Sequence, residues 1–150
     1  MTLAELVSNR VGLAVDRLLV RWTGYSFVSW AYGRALGTGY LPSLLLATTG
    51  AKTGQRRTAV LPYYADGDRW VIVGSNGGAP TDPRWAVNLR AHPDAEIWVG
   101  RTHVAVRAYV ASGEERARLW QDITKGRGAY ARYQRMAQPR EIPFVVLERR

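Results

Sequence analysis

Cysteine is absent from the 150-residue sequence, which excludes disulfides and thiolate metal sites and leaves the redox compartment unreadable from thiols. Histidine is almost as scarce. His92 and His103 are too few for a histidine metal centre. No segment approaches the roughly 18 uninterrupted apolar residues of a spanning helix, and the N-terminus lacks the charged start and cleavage pattern of a signal peptide. A cytoplasmic location is therefore the expectation. Lysine is rare too: arginine supplies nineteen of the 21 cationic residues, scattered along the chain without a long basic block. The net charge of +9 favours an anionic partner, whether nucleic acid, an acidic membrane surface or a phosphorylated small molecule, and composition does not choose among them.

What is present is enough for a folded domain. Apolar residues make up 47% of the chain, with six Trp and eight Tyr, and neither a repeat nor a linker marks a boundary. Residues 1–40 read as an amphipathic helix with an aromatic and glycine-rich lead-in, and residues 41–150 as the main body of one domain. Thr2 and Glu5 form a candidate capping box, followed by Leu3, Leu6, Val7, Val11, Ala14 and Leu18 at helical spacing. Arg10, Arg17 and Arg21 share another face, with Trp22, Tyr25, Phe27, Trp30 and Tyr32 following. This composition suits either an interfacial membrane helix over residues 1–32 or a helix packed on its own domain.

After Pro42 the pattern turns to strands: Leu44 to Thr49, Thr58 to Tyr64 and Arg69 to Gly74, the last two joined by an Asp66-Gly67 turn. A helix over Pro83 to Ala91 opens at Asp82, and a hairpin around Gly100-Arg101 joins Ala95 to Val99 with His103 to Val110. Ser112-Gly113-Glu114-Glu115 reads as a second capping box, starting a helix to about Thr124 with Ala117 and Trp120 facing inward. Gly126 and Gly128 break it, Tyr130, Tyr133 and Met136 continue a further turn, and Phe144 to Leu147 is the last strand. The fold class is α+β: a small barrel of about six mainly antiparallel strands with peripheral helices.

Two segments carry candidate chemistry. Between the first two strands, Thr48-Thr49-Gly50-Ala51-Lys52-Thr53-Gly54-Gln55-Arg56-Arg57 supplies two glycines, several hydroxyls and three cations, which suits an anion. It is not a nucleotide P-loop: Ala47 and Ala51 stand where that motif needs glycine, and a strand follows where it needs a helix. The second segment is Ser75-Asn76-Gly77-Gly78, with Trp85 and Asn88 on one side of the next helix. Small residues there let a flat ligand approach the backbone. Tyr130 and Tyr133 share a helical face and can line an apolar pocket or serve the core. With no catalytic triad, close carboxylate pair or nucleophile beside a histidine, any redox reaction belongs to a cofactor.

Several ordered motifs give these segments a resemblance. Thr49 to Arg57, Ser75 to Gly78, Pro83-Arg84-Trp85-Ala86-Val87-Asn88, Gly113 to Ala117, Tyr130 with Tyr133-Gln134, and Ile142-Pro143 together resemble the deazaflavin-dependent nitroreductase family of actinobacterial oxidoreductases over residues 44–148. The resemblance implies a split β-barrel that uses reduced coenzyme F420 as hydride donor to a quinone or other electrophilic conjugated acceptor. It also implies that Lys52, Thr53 and Arg57 hold the phosphate and acidic tail, with Val73, Gly74, Ser75, Asn76, Trp85 and Asn88 around the deazaflavin. Ser75, Tyr130 or water would supply a proton, and Arg127, Tyr130 and Tyr133 would border the acceptor. Val60-Leu61-Pro62 and Gly126-Arg127-Gly128 depart from the family pattern, which weakens the case for nitroimidazole reduction more than that for F420. An FMN- or tetrapyrrole-binding split barrel and a nonenzymatic nucleic-acid-binding barrel are the alternatives. The scattered arginines form no aromatic-basic stripe of the kind the latter uses. Nothing in the sequence reads out a homo-oligomer.

Overall fold

Residues 10–23, 25–36, 41–125 and 128–150 are described by the computed structural model. The capping box at Thr2 and Glu5, the apolar residues Leu3, Leu6 and Val7, and Gly126-Arg127 lie outside the described residues. Seven strands build a single sheet: β1 (Ser43–Thr49), β2 (Arg56–Pro62), β3 (Tyr64–Asp66), β4 (Arg69–Val73), β5 (Asp94–Val99), β6 (Thr102–Val110) and β7 (Phe144–Arg149). Their order is β2-β1-β5-β6-β7-β4-β3, and every neighbouring pair is antiparallel. The sheet curls until β2 meets β4, giving the split barrel.

The sheet has one strand more than the sequence pattern suggested. The run from Thr58 to Tyr64 breaks after Pro62, which has no N–H to extend a ladder. Tyr63 donates its N–H to Pro42 O at 3.0 Å, and β3 restarts at Tyr64 against β4. Strand periodicity then sorts the core into two layers. On β7, Val145 and Leu147 join Leu44, Leu46, Ile72, Ile97 and Val106 on one side, while Phe144 and Val146 join Leu119, Ile123 and Ile142 on the other.

Among the described residues, five α-helices surround the sheet: α1 (Arg10–Thr23), α2 (Phe27–Leu36), α3 (Arg84–Ala91), α4 (Gly113–Thr124) and α5 (Gly128–Ala137). Two expected caps are used elsewhere. Pro83 occupies the cap position of α3 without a side-chain bond, and Asp82 binds Arg140 and Arg90 instead. Ser112 likewise makes no side-chain capping bond, and the Glu115 carboxylate is drawn to the Tyr109 hydroxyl and Arg69. On α4, Ala117 is exposed and Trp120 half-buried against Phe144, so Leu119 and Ile123 form the inward face.

The corner between α1 and α2 is fixed by Asp16, which is only 2% exposed. Its carboxylate accepts the Ser26 hydroxyl at 2.7 Å and the N–H groups of Phe27 and Val28, capping α2 by the usual charge–dipole logic. The opposite side of α1 is open. Val11, Val15, Leu18 and Trp22 form an apolar stripe at spacings of three and four residues, each at least half exposed. Val11, Ala14 and Leu18 therefore do not form the face that packs on the domain.

Candidate functional site

The β1–β2 turn is a built structure. Gly50 donates to Gln55 O at 2.8 Å and Gly54 to Gly50 O at 2.9 Å, while a Cβ on Gly50 would stand 2.7 Å from Thr53 Oγ1. Asn88 secures the turn from α3: its Oδ1 accepts the Ala51 N–H at 3.0 Å, and its Nδ2 donates to Thr48 Oγ1 at 3.0 Å. The backbone donors of Lys52 and Thr53 are left without a partner among the described residues. Gly50, Gly54 and Gln55 spend theirs inside the turn and Ala51 gives its own to Asn88, so the anion-binding backbone is narrower than the sequence suggested.

A cavity of about 470 Å³ opens on this turn, lined by Lys52, Thr53, Arg57, Arg84, Trp85 and Asn88 among others. Its cations are not neutralised. Lys52 and Arg84 have no ion pair or hydrogen bond among the described residues, and Arg57 reaches only Gln55 Oε1 at 3.1 Å. Eight other arginines, from Arg56 to Arg150, pair with carboxylates. Free cations and two free N–H groups around one hollow can take a phosphate or several carboxylates.

Trp85 also walls a second cavity of about 320 Å³, shared with Leu61, Pro62, Val73, Ser75, Asn76, Gly77, Pro83 and Tyr130. The loop at its rim bends through positive φ at three successive residues: Asn76 (46°), Gly77 (62°) and Gly78 (82°). At Gly78 a Cβ would stand 2.9 Å from Met136 Cβ and 3.2 Å from Tyr133 Cα, so only glycine lets the loop seat on α5. Asn76 ties the loop by donating from Nδ2 to Thr81 O at 2.9 Å, and the Ser75 hydroxyl has no partner among the described residues. The Tyr130 hydroxyl lies 2.7 Å from that of Tyr64.

Arg140 holds the loop from outside the cavity, and the sequence reading missed it. Its guanidinium donates to the carbonyls of Gly74, Ser75 and Ala79 at 2.8–3.1 Å and pairs with Asp82 at 2.8 Å, with both side chains nearly buried. Gln134 aims it, donating to Arg140 O at 2.7 Å while accepting the Ile142 N–H at 2.8 Å. No local motif signals this, because the carbonyls are 61 to 66 residues away. Arg84 was missed as well, although it sits beside Trp85 at the start of α3.

The structure brings Lys52, Thr53, Arg57, Trp85 and Asn88 to the first cavity and Val73, Ser75, Asn76, Trp85 and Tyr130 to the second. Gly74 stands behind them: its N–H goes to Pro143 O at 2.9 Å and its carbonyl to Arg140. Tyr133 packs edge-on against Tyr130 and under Arg132 rather than lining either cavity. Arg127 lies outside the described residues. No group of three metal-ligating side chains occurs among the described residues.

In sequence and in fold the chain is similar to known proteins. The sequence model of a family described as "F420H(2)-dependent quinone reductase" matches residues 25–149. An F420H(2)-dependent quinone reductase of Mycobacterium tuberculosis (strain H37Rv) is 48% identical over 115 residues, covering 75% of this chain and 76% of that protein. Among solved structures, an F420-H2 dependent reductase superposes with a TM-score of 0.64 at 32% identity, covering 71% of this chain and 94% of its own. A structure described as a domain-swapped dimer superposes with a TM-score of 0.65 at 29% identity over 92% of this chain and 96% of its own.

Proposed function

Because the chain belongs to the F420H(2)-dependent quinone reductase family, we propose that the two cavities joined at Trp85 hold coenzyme F420 and its acceptor. The chain is an oxidoreductase and reduced F420 is its cofactor. The observation that carries the placement is the unneutralised set Lys52, Arg57 and Arg84 beside the free N–H groups of Lys52 and Thr53. These groups would hold the phosphate. Trp85 would support the ring system, and Ser75, Asn76 and Gly77 would border it. Asn88 would act chiefly through the turn, whose Ala51 N–H and Thr48 hydroxyl its amide holds.

When bound, the reduced deazaflavin supplies a hydride. The protein's own work is positioning and proton delivery. Leu61, Pro62, Val73 and Trp85 give the second cavity apolar walls suited to a flat conjugated acceptor such as a quinone. The Ser75 hydroxyl is free to donate to a carbonyl oxygen there, and Tyr130, held by Tyr64, stands as the second donor. Hydride plus one proton converts a quinone to its hydroquinone without a protein nucleophile. The test is to titrate the protein with F420 and then mix the reduced complex with menadione, following deazaflavin absorbance. Binding followed by oxidation is the expected result. Absence of F420 binding would sink the cofactor placement, and binding without oxidation would sink the quinone-like acceptor.

A peripheral membrane contact through residues 1–32 is favoured by the outward apolar stripe of Val11, Val15, Leu18 and Trp22. No described helix is long and apolar enough to cross a membrane, so the contact would be interfacial. Anionic-lipid vesicles should float the protein, and Leu18→Ser with Trp22→Ser should abolish flotation; equal recovery of both rejects the contact.

A further inference from the structure

Tyr130 reaches the second cavity from α5, and its phenolic oxygen lies 2.7 Å from that of Tyr64, a residue that lines neither cavity of the proposed site. The break at Pro62 sets the side on which Tyr64 stands. β3 restarts at this residue as an outermost strand of the sheet. Alternation then packs Tyr63 against the layer of Leu44 and Ile97, and half-buried Tyr64 against the layer of Val71 and Phe144, which Tyr130 and Tyr133 of α5 also join.

Two phenols at this distance share one hydrogen bond, and only one of them is its donor. If Tyr130 donates, its hydrogen is engaged by Tyr64. If Tyr64 donates, Tyr130 keeps its own for the cavity. An electron-rich oxygen in the cavity selects the second arrangement, because Tyr130 then donates to that oxygen while still accepting from Tyr64. The ring of Tyr130 has other supports: it packs edge-on against the rings of Tyr64 and Tyr133, with centroids 6.3 and 6.4 Å away. A phenylalanine at position 64 therefore keeps the ring contact and removes only the hydroxyl.

We propose that Tyr64 is a positioning residue that supplies protons to the acceptor through Tyr130. Once a quinone has taken the hydride, one of its oxygens carries the negative charge. Tyr130 protonates that oxygen, its own O–H bond breaking as the new one forms. Tyr64 passes its hydrogen to the Tyr130 oxygen, and water restores the Tyr64 hydroxyl. One proton enters from solvent and one reaches the acceptor, so both phenols end as they began. The inference rests on the proposed acceptor cavity and on Tyr130 as its donor.

The test compares the full chain with Tyr64→Phe, Tyr130→Phe and the double variant, each loaded with reduced F420 and mixed with menadione. In Tyr64→Phe, single-turnover oxidation at saturating menadione should slow about tenfold, the effect of losing a hydrogen bond to a charged group. The menadione concentration that gives half the maximal rate should not move. F420 affinity, read by fluorescence titration, should equal the parent's, which also shows that the variant is folded. Tyr130→Phe should slow oxidation at least as much, and the double variant no more than Tyr130→Phe alone, since Tyr64 acts only through Tyr130. In the protein without cofactor, carrying tyrosine labelled at Cζ, the NMR signal that disappears in Tyr130→Phe should shift in Tyr64→Phe. An unchanged rate in Tyr64→Phe, additive losses in the double variant, an unmoved Tyr130 signal, or a change in half-saturation in place of rate overturns the relay and leaves Tyr130 as donor. Tyr130→Phe without effect removes that donor and the relay with it, whereas a parent protein that binds F420 and fails to oxidise it with menadione sinks the acceptor cavity itself.

Discussion

The two loops that frame the proposed site use their positive charge in opposite ways. The β1–β2 turn leaves Lys52 and its neighbour across the cavity, Arg84, without partners among the described residues. The Gly74–Asp82 loop is held by Arg140, whose guanidinium is spent on three carbonyls and a carboxylate. Each arrangement has a physical cost. Unpaired cations repel one another and are kept where an anion will join them, whereas a saturated guanidinium stabilises backbone that would otherwise lack donors. A cation beside a cavity is therefore informative about ligand binding only after its protein partners have been counted.

Arg140 gives the largest expected effect. Arg140→Ala removes one partner of a nearly buried ion pair and leaves the Gly74 and Ala79 carbonyls without a donor, the Ser75 carbonyl keeping only the Gly78 N–H, so unfolding free energy should fall by about 4 kcal/mol in urea titration. F420 binding should weaken with it, because the loop around Ser75 loses its shape. A variant as stable as the parent would break the distinction between the loops.

The Lys52→Ala, Arg57→Ala double variant is the mirror experiment. Two charge-assisted hydrogen bonds at roughly 1.5 kcal/mol each predict about a hundredfold loss of F420 affinity, with stability changed by no more than about 0.5 kcal/mol. The affinity is read by fluorescence titration and the stability by urea unfolding. Unchanged affinity would show that the free cations are ordinary surface charge.

Asn88 belongs to both categories. Asn88→Ala leaves the Ala51 N–H and the Thr48 hydroxyl without partners in a largely buried setting, which predicts a loss of about 2 kcal/mol in unfolding free energy. F420 affinity should fall less than in the Lys52, Arg57 double variant, because the cations themselves remain. A loss as large as the double variant's would place Asn88 in direct contact with the cofactor.

Local chemistry made one of these loops legible in the sequence and concealed the anchor of the other. Two glycines, hydroxyls and cations between strands announce an anion turn, because every contributor lies within ten residues. Ser75 to Gly78 was legible as a close-approach loop, but Arg140 reaches it only through the tertiary fold. Long-range pairing also misdirected the caps: Asp82 and the Ser112–Glu115 box have suitable local sequence, yet Arg140 and the Tyr109–Arg69 pair claim their acidic groups. On α1 the period located an apolar stripe without saying what covers it, since periodicity carries no information about partners. Pro62 was visible, but its effect in splitting a strand depends on which edge of the sheet it occupies.

The smallest effect tests a fully neutralised cluster away from both cavities. Asp66 takes Arg118 and Arg69. The hydrogen bond from Arg118, followed by that from Arg69, outweighs the opposing effect of burial and holds the Asp66 carboxyl below its ordinary range. A carboxyl depressed by folding adds stability that is fully present above its unfolded value, about 4, and is lost as pH falls through its lower folded value. Asp66→Asn has no such titration at this position. The stability advantage of the parent protein over the variant should therefore shrink as pH falls from 7 to below the ordinary carboxylate range, as read by urea unfolding at each pH. F420 affinity at neutral pH should not change, because the removed charge was already compensated within the protein and lines neither cavity. A stability difference that stays constant with pH would show that Asp66 acts by packing and hydrogen-bond geometry rather than by its charge. A change in affinity would show that neutralised clusters communicate with the site.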